Sequence, residues 1–242
     1  METIGKSVSS LERIELLDAL DHDGCPLCWI VQRATRRYLF HILHEYVLDG
    51  NLRVKLHRSW GFCRSHAWAL QRLEAEIWHD GMGTATLYED LARTLAKTIQ
   101  TAAAEPWKRQ KKSWFYRREQ SPVSLAVQAT GSCPACVSVG FTERYMTEAL
   151  TRALEEDETI RQKYHAGFGL CLRHFLAAVE ASSTEEVYQM LLDLQMRKLT
   201  QLAEELEDYI RKHTVGHHDE PKGREQTSWI RAIELFVGKP EC

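Results

Sequence analysis

The sequence predicts an all-α protein made of two copies of one helical repeat, each copy clipped by a metal site of three cysteines and one histidine, and the two packed as a pseudo-two-fold unit. Three observations carry that expectation. Six of the seven cysteines fall into two copies of one pattern. Apolar residues recur at the helical period, and alternating β-branched runs are nearly absent. A chain of 242 residues is also long enough to bury a core without disulfide staples.

The repeat is read from its ligand-type residues. Cys25-Pro26-Leu27-Cys28 is followed by Gly61-Phe62-Cys63-Arg64-Ser65-His66, and Cys133-Pro134-Ala135-Cys136 by Gly169-Leu170-Cys171-Leu172-Arg173-His174. Each position moves by 108, from 25 to 133, 28 to 136, 63 to 171 and 66 to 174, and both copies hold 34 residues between their second and third cysteines. His57/His165, Arg36/Arg144, Asp49/Asp157 and Arg53/Arg161 coincide at the same offset. Beyond the histidines, Leu87–Leu91 aligns with Val187–Leu191 at an offset of 100, which places an insertion in a turn at His79–Gly83 of the first copy.

Taken in order, Met1–Gly24 is polar and amphipathic, with no apolar core of a secretory signal. Pro26 and Pro134 suit the first turn of a helix, where a missing N–H costs nothing. The stripe Val31, Tyr38, Ile42, Tyr46 and its partners Val139, Met146, Leu150, Leu154 mark one buried helix face. Turns are expected near Asp49-Gly50-Asn51 and Glu156-Asp157. Gly61 and Gly169 precede the Cys-x-x-His helices and are expected at positive φ. Val123–Thr130 is the best candidate strand. Ser182 or Ser183 with Glu185 or Glu186 reads as a capping box opening a helix that runs toward His213. Thr227–Val237 reads as a last short helix after the loop Val215–Gln226. The domain expectation is thus 1–105 and 133–213 for the two repeats, 106–132 for a connector, and 214–242 for a loop and terminal helix.

The chemistry lies in the cysteines. An odd count in a chain with no secretion signal points to metal or redox use rather than a disulfide framework. Three thiolates and one imidazole are a standard tetrahedral zinc set, so two zinc ions per chain are expected. One quartet per copy gives Cys25, Cys28, Cys63 and His66, then Cys133, Cys136, Cys171 and His174. The 34-residue spacer must then leave the ion and return. A helix from Trp29 to Leu48 would run about 30 Å, more than Asn51–Trp60 can retrace, so a bent or shortened helix is expected. Iron–sulfur clusters or reversible Cys-Pro-x-Cys thiols are the alternative, making a redox or electron-transfer protein.

Other features receive plainer readings. His57 and His165 are expected near the metal ligands or at helix ends. His41, His44 and Glu45 read as a solvated face. Trp29, Trp60 and Trp68 read as core positions, and Trp78 stands opposite an acidic residue in the second copy. Trp107–Arg118 holds six basic residues and four aromatics without an acid. It reads as an inter-repeat connector, with single-stranded nucleic acid as its alternative ligand. Cys242 has no repeat partner. A net charge of −3 excludes a general polycationic coat, and no apolar run approaches the roughly 20 residues of a membrane span. No nucleophile–base pair or glycine-rich phosphate loop is placed. The expectation is a cytoplasmic, non-enzymatic zinc protein that serves as a binding, scaffold or regulatory module for a protein partner.

The paired Cys-Pro-x-Cys and Gly-(Phe/Leu)-Cys-x-x-His motifs, separated by a long helical spacer, resemble those of a family of uncharacterised prokaryotic proteins with this duplicated signature. The resemblance covers about residues 20–210 and rests on eight ligand-type positions, all present here. It implies metal sites and brings no reaction or partner with it.

Overall fold

A computed structural model describes residues 7–104, 121–217 and 219–239, and every regular element among them is helical. The first copy folds as α2 (Pro26–His41), α3 (Gly50–Ser59), α4 (Arg64–Ile77) and α5 (Met82–Ala103). The second repeats the order as α7 (Pro134–Glu156), α8 (Glu158–Ala166), α9 (Leu172–Ala181) and α10 (Glu185–Lys212). Outside the pattern stand α1 (Ser10–Leu20), α6 (Pro122–Ala126) and α11 (Ser228–Val237).

Most helix boundaries follow local chemistry. Pro26 and Pro134 open α2 and α7. Asp49 and Asp157 cap α3 and α8, each carboxylate accepting backbone N–H groups of the first turn. Gly61 and Gly169 adopt φ of 97° and 86°, turning the chain sharply into the next helix. Three expectations fail. Val123–Thr130 is not a strand: Ser121 caps α6 by accepting the Ser124 N–H, and Pro122 sits in its first turn. The long α10 is capped by Thr184 rather than by a serine capping box, because the Ser182 hydroxyl is turned back onto the Ala178 carbonyl at the end of α9. Tyr46 is exposed, unlike the rest of its stripe. It lies in a π-helical turn, Ile42–Tyr46, that closes α2 and shifts the register of the face. A capping box does exist at α1, where Ser9 and Glu12 satisfy each other's backbone N–H groups.

The chain divides into two compact units. One contains Met1–Ala34 with Gly140–Cys242, the other Thr35–Val139. Thus α2 begins in the first unit and ends in the second, and α7 does the reverse. The core of the first is built on Leu16, Leu27, Ile30, Leu150, Leu154, Ile160, Tyr164 and Leu191. That of the second is built on Leu39, Leu52, Leu56, Phe62, Leu70, Leu87 and Leu91. Trp107–Arg118 and Cys242 lie outside the described residues. No helix among the described residues is long and apolar enough to cross a membrane.

Candidate metal centres

Four short segments bring the eight predicted residues to helix starts. Cys63 and Cys171 are the N-caps of α4 and α9, with His66 and His174 three residues on. Cys25 and Cys133 immediately precede α2 and α7, their carbonyls accepting from Trp29 and Val137, with Cys28 and Cys136 three residues on. Side chains at a cap and three residues later converge over the first turn, as in a capping box. The backbone N–H groups and dipole of that turn favour negative charge, which suits thiolates. Both Cys-Pro-x-Cys and Cys-x-x-His therefore make the same local device, a two-ligand clip on a helix N-terminus.

The clips pair across the copies. Cys25 and Cys28 meet Cys171 and His174 in the first unit, while Cys63 and His66 meet Cys133 and Cys136 in the second. This corrects the expected quartets of one copy each, and the reason is length. The 23 residues of α7 extend about 35 Å from Cys133, and the 9 residues of α8 retrace under half of that. The helix therefore delivers the chain to the other clip instead of returning to its own. In each quartet the four ligand atoms lie within 4.8 Å of one another.

The edges of each quartet suit one tetrahedral ion. Bond lengths of about 2.3 Å to sulfur and 2.05 Å to nitrogen set S···S edges near 3.8 Å and S···N edges near 3.5 Å. In the first unit Cys28 and Cys171 sulfurs stand 3.7 Å apart, and His174 Nδ1 is 3.4, 3.4 and 3.2 Å from Cys25, Cys28 and Cys171. In the second, Cys63 and Cys136 are 3.6 Å apart, and His66 Nδ1 is 3.2, 3.7 and 3.3 Å from Cys63, Cys133 and Cys136. Each quartet could hold an ion, and four protein ligands would complete its shell.

The surroundings differ. All four ligands of the first quartet are buried, whereas in the second only Cys133 is buried and Cys136 is exposed. Behind His174, Nε2 lies 3.1 Å from Glu143 Oε1 on an oblique approach, and Arg173 holds the other carboxylate oxygen at 2.6 Å. The His174 contact is the main reason the Glu143 carboxyl sits below its usual range. Without an ion, burial opposes a charged His174, but contacts with Cys171, Cys28 and Glu143 outweigh it and raise the imidazole to about 11. Burial raises the Cys25 thiol, and partial desolvation together with neighbouring Cys63 and Cys133 pushes Cys136, although that residue reaches solvent, up to about 12. Protons thus occupy the places that a cation would take.

Glu143 was not legible in the repeat, because the residue 108 positions earlier is Thr35, which is buried. Tyr164, equally unmarked, has a buried hydroxyl with no hydrogen-bond partner, and burial first, then nearby Cys25, raises its phenol. His57 is a helix-end residue, bonded to Asp90 at 2.8 Å beside Arg53. His165 ends α8 facing Arg197 at 3.3 Å. His41 and His44 are exposed and flank Glu45, each at 3.7 Å. Trp29 packs against the first core under Arg33, and Trp60 is half-buried. Trp68 departs from its core reading: it is 59% exposed, because it lies on the side of α4 away from buried Leu70 and Leu73. Trp78 stacks on Phe40.

A family model described as "Family of unknown function (DUF6062)" matches residues 8–241. A protein of Caldicellulosiruptor sp. (strain Rt8B.4), described as an uncharacterized 23.9 kDa protein in the xynA 3'region, is 22% identical over 224 residues, covering 92% of this chain and 99% of that one. No solved structure matches.

Proposed function

The chain belongs to this family of unknown function (DUF6062), and from that premise we propose that it is a zinc-binding helical protein with two structural ions, acting as a binding or scaffold module for a protein partner. The observation that carries the reading is the pair of quartets whose edges fit one tetrahedral ion each. Three thiolates, a neutral imidazole and a divalent ion give each site a formal charge of about −1, set against helix N-termini that favour it. Four protein ligands leave no open coordination position for water or substrate, which supports a structural rather than a catalytic ion. An iron–sulfur cluster spreads its protein ligands over separate iron atoms, whereas these fall within 4.8 Å of one another, the span of one ion's shell. A zinc role for thiolate ligands suits the reducing cytoplasm. A protein is favoured as partner because the net charge of −3 supplies no general attraction for phosphates.

Metal analysis of anaerobically purified full-length protein tests this. Two zinc ions per chain and a colourless solution are expected. Iron with labile sulfide and visible absorption overturns the zinc reading in favour of the redox one.

A further inference from the structure

We infer that the two sites are not equivalent: the Cys25, Cys28, Cys171, His174 site keeps its ion as part of the core, while the Cys63, His66, Cys133, Cys136 site exchanges its ion with thiol ligands from solution through Cys136. The inference rests on the zinc reading and adds a role for one of its sites.

Three differences carry it. Access comes first. Exchange at a filled tetrahedral ion needs an incoming ligand to reach the metal while another leaves, with a brief expansion of the shell. The ligands of the first site are 0–3% exposed, so no path leads in without opening the unit. At the second, Cys136 is exposed and Cys63 and His66 are half-buried. Val137, next in sequence to Cys136, and Trp68, two residues after His66, are also exposed.

Support behind the ligands is the second difference. Glu143, itself held by Arg173, places a carboxylate oxygen 3.1 Å from the outer nitrogen of His174, an ion-pair contact behind the ring. Such outer partners strengthen metal binding by roughly ten- to a hundredfold. The residue at the matching repeat position is Thr35, which has no carboxylate to offer His66. The third is packing. Cys25, Cys28 and Cys171 all belong to the first core, whereas only Cys133 among the second set is part of the buried core of its unit.

The exchange step balances without any change of oxidation state. The sulfur of an incoming thiol forms a bond to zinc, the bond from zinc to Cys136 Sγ breaks, and the proton of the incoming thiol passes to Cys136. The ion then remains on Cys63, Cys133 and His66 with one foreign ligand. Repetition of the step removes it, and reversal loads it. Small thiols and a cysteine-rich partner share this chemistry.

The test uses the zinc-loaded full chain carrying Cys242→Ser, so that the thiol outside both quartets does not report. It is mixed with glutathione, or with a synthetic Cys-x-x-Cys peptide, and the ion released is followed with a chromogenic chelator. Release of one ion at a rate at least about tenfold above the other is expected with at least one of the two thiols. Cys136→Ser should remove the fast phase and leave a folded chain with one ion. Glu143→Gln should quicken only the slow phase. Release in a single phase, or a fast phase that survives Cys136→Ser, overturns the inference and leaves two structural zinc ions standing. A chain that cannot be loaded with two ions overturns the zinc reading itself, and this inference with it. Acceleration by the peptide but not by glutathione would identify a protein thiol as the source, and the reverse a small one.

Discussion

The two candidate metal centres are built from the same four residue types on the same two kinds of helix start, yet one is sealed within a core and the other reaches the surface at Cys136. The local clips are equivalent, so the difference arises from what is packed around them. In the first unit, α1 and the segment after Leu154 add Leu16, Ile160 and Tyr164 to the buried shell. In the second, the element that precedes the Cys-Pro-x-Cys clip is the five-residue α6, which buries no side chain. The same four residue types are therefore buried in one setting and reach solvent in the other.

The sharpest way to break this comparison is to remove one ligand from each side. Cys171→Ala should abolish one ion and melt much of the helix content of the first unit. Structural zinc contributes an apparent 10–16 kcal/mol or so in small metal-folded domains, as large as the stability of a whole domain, about 5–15 kcal/mol. Cys136→Ala should lose the other ion with a smaller fall in thermal stability, since its side chain already meets solvent. Circular dichroism melts and zinc content read both, and equal melting losses would erase the distinction.

A smaller effect should appear in pH dependence. Without an ion the Cys136 thiol titrates at about 12, so at neutral pH it is protonated and zinc must displace that proton. Lowering the pH therefore weakens binding, by about tenfold per pH unit for each proton displaced. Competition with a chelator of known pH behaviour measures this for the second site. An affinity that stays flat with pH would contradict proton displacement.

Glu143→Gln comes next in size. It should cost the first site roughly ten- to a hundredfold in affinity and the second nothing, as read by site-resolved zinc titration. Equal loss at both would show that Glu143 acts on the whole chain rather than on His174.

An effect of similar size probes the second unit apart from its ligands. Glu74 is buried, and its carboxylate accepts the Gly83 and Thr84 N–H groups at 2.5 and 2.9 Å at the start of α5. Glu74→Ala should cost about 1–3 kcal/mol of stability by leaving those donors unpaired, with zinc content unchanged. Loss of zinc as well would mean that the site and the α4–α5 turn are one cooperative unit.

The sequence by itself determined a good deal. Period and composition gave helices, because a 3.6-residue apolar stripe has no use on a strand. Spacing gave all eight ligand-type residues, because two side chains three apart at a helix start converge whatever the rest of the chain does. Asp49, Asp157, Gly61 and Gly169 could be placed for the same reason: caps and positive-φ turns are set by a few adjacent residues. The errors at Val123–Thr130 and at Ser182 came where two local signals competed and a proline or an alternative hydroxyl bond decided.

Tertiary structure alone decided which clips meet. Repeat symmetry favours partners within one copy, and nothing in the motifs distinguishes one copy's Cys-x-x-His from the other's. The length of α7 against α8 distinguishes them, because a rigid rod carries the chain away from its start faster than a short helix can bring it back. Tertiary structure also decided that Glu143 stands behind His174 and that Cys136 faces solvent, since burial depends on segments far apart in the sequence. The two sets of motifs carry the same ligand types, and the packing around them makes their exposure unequal.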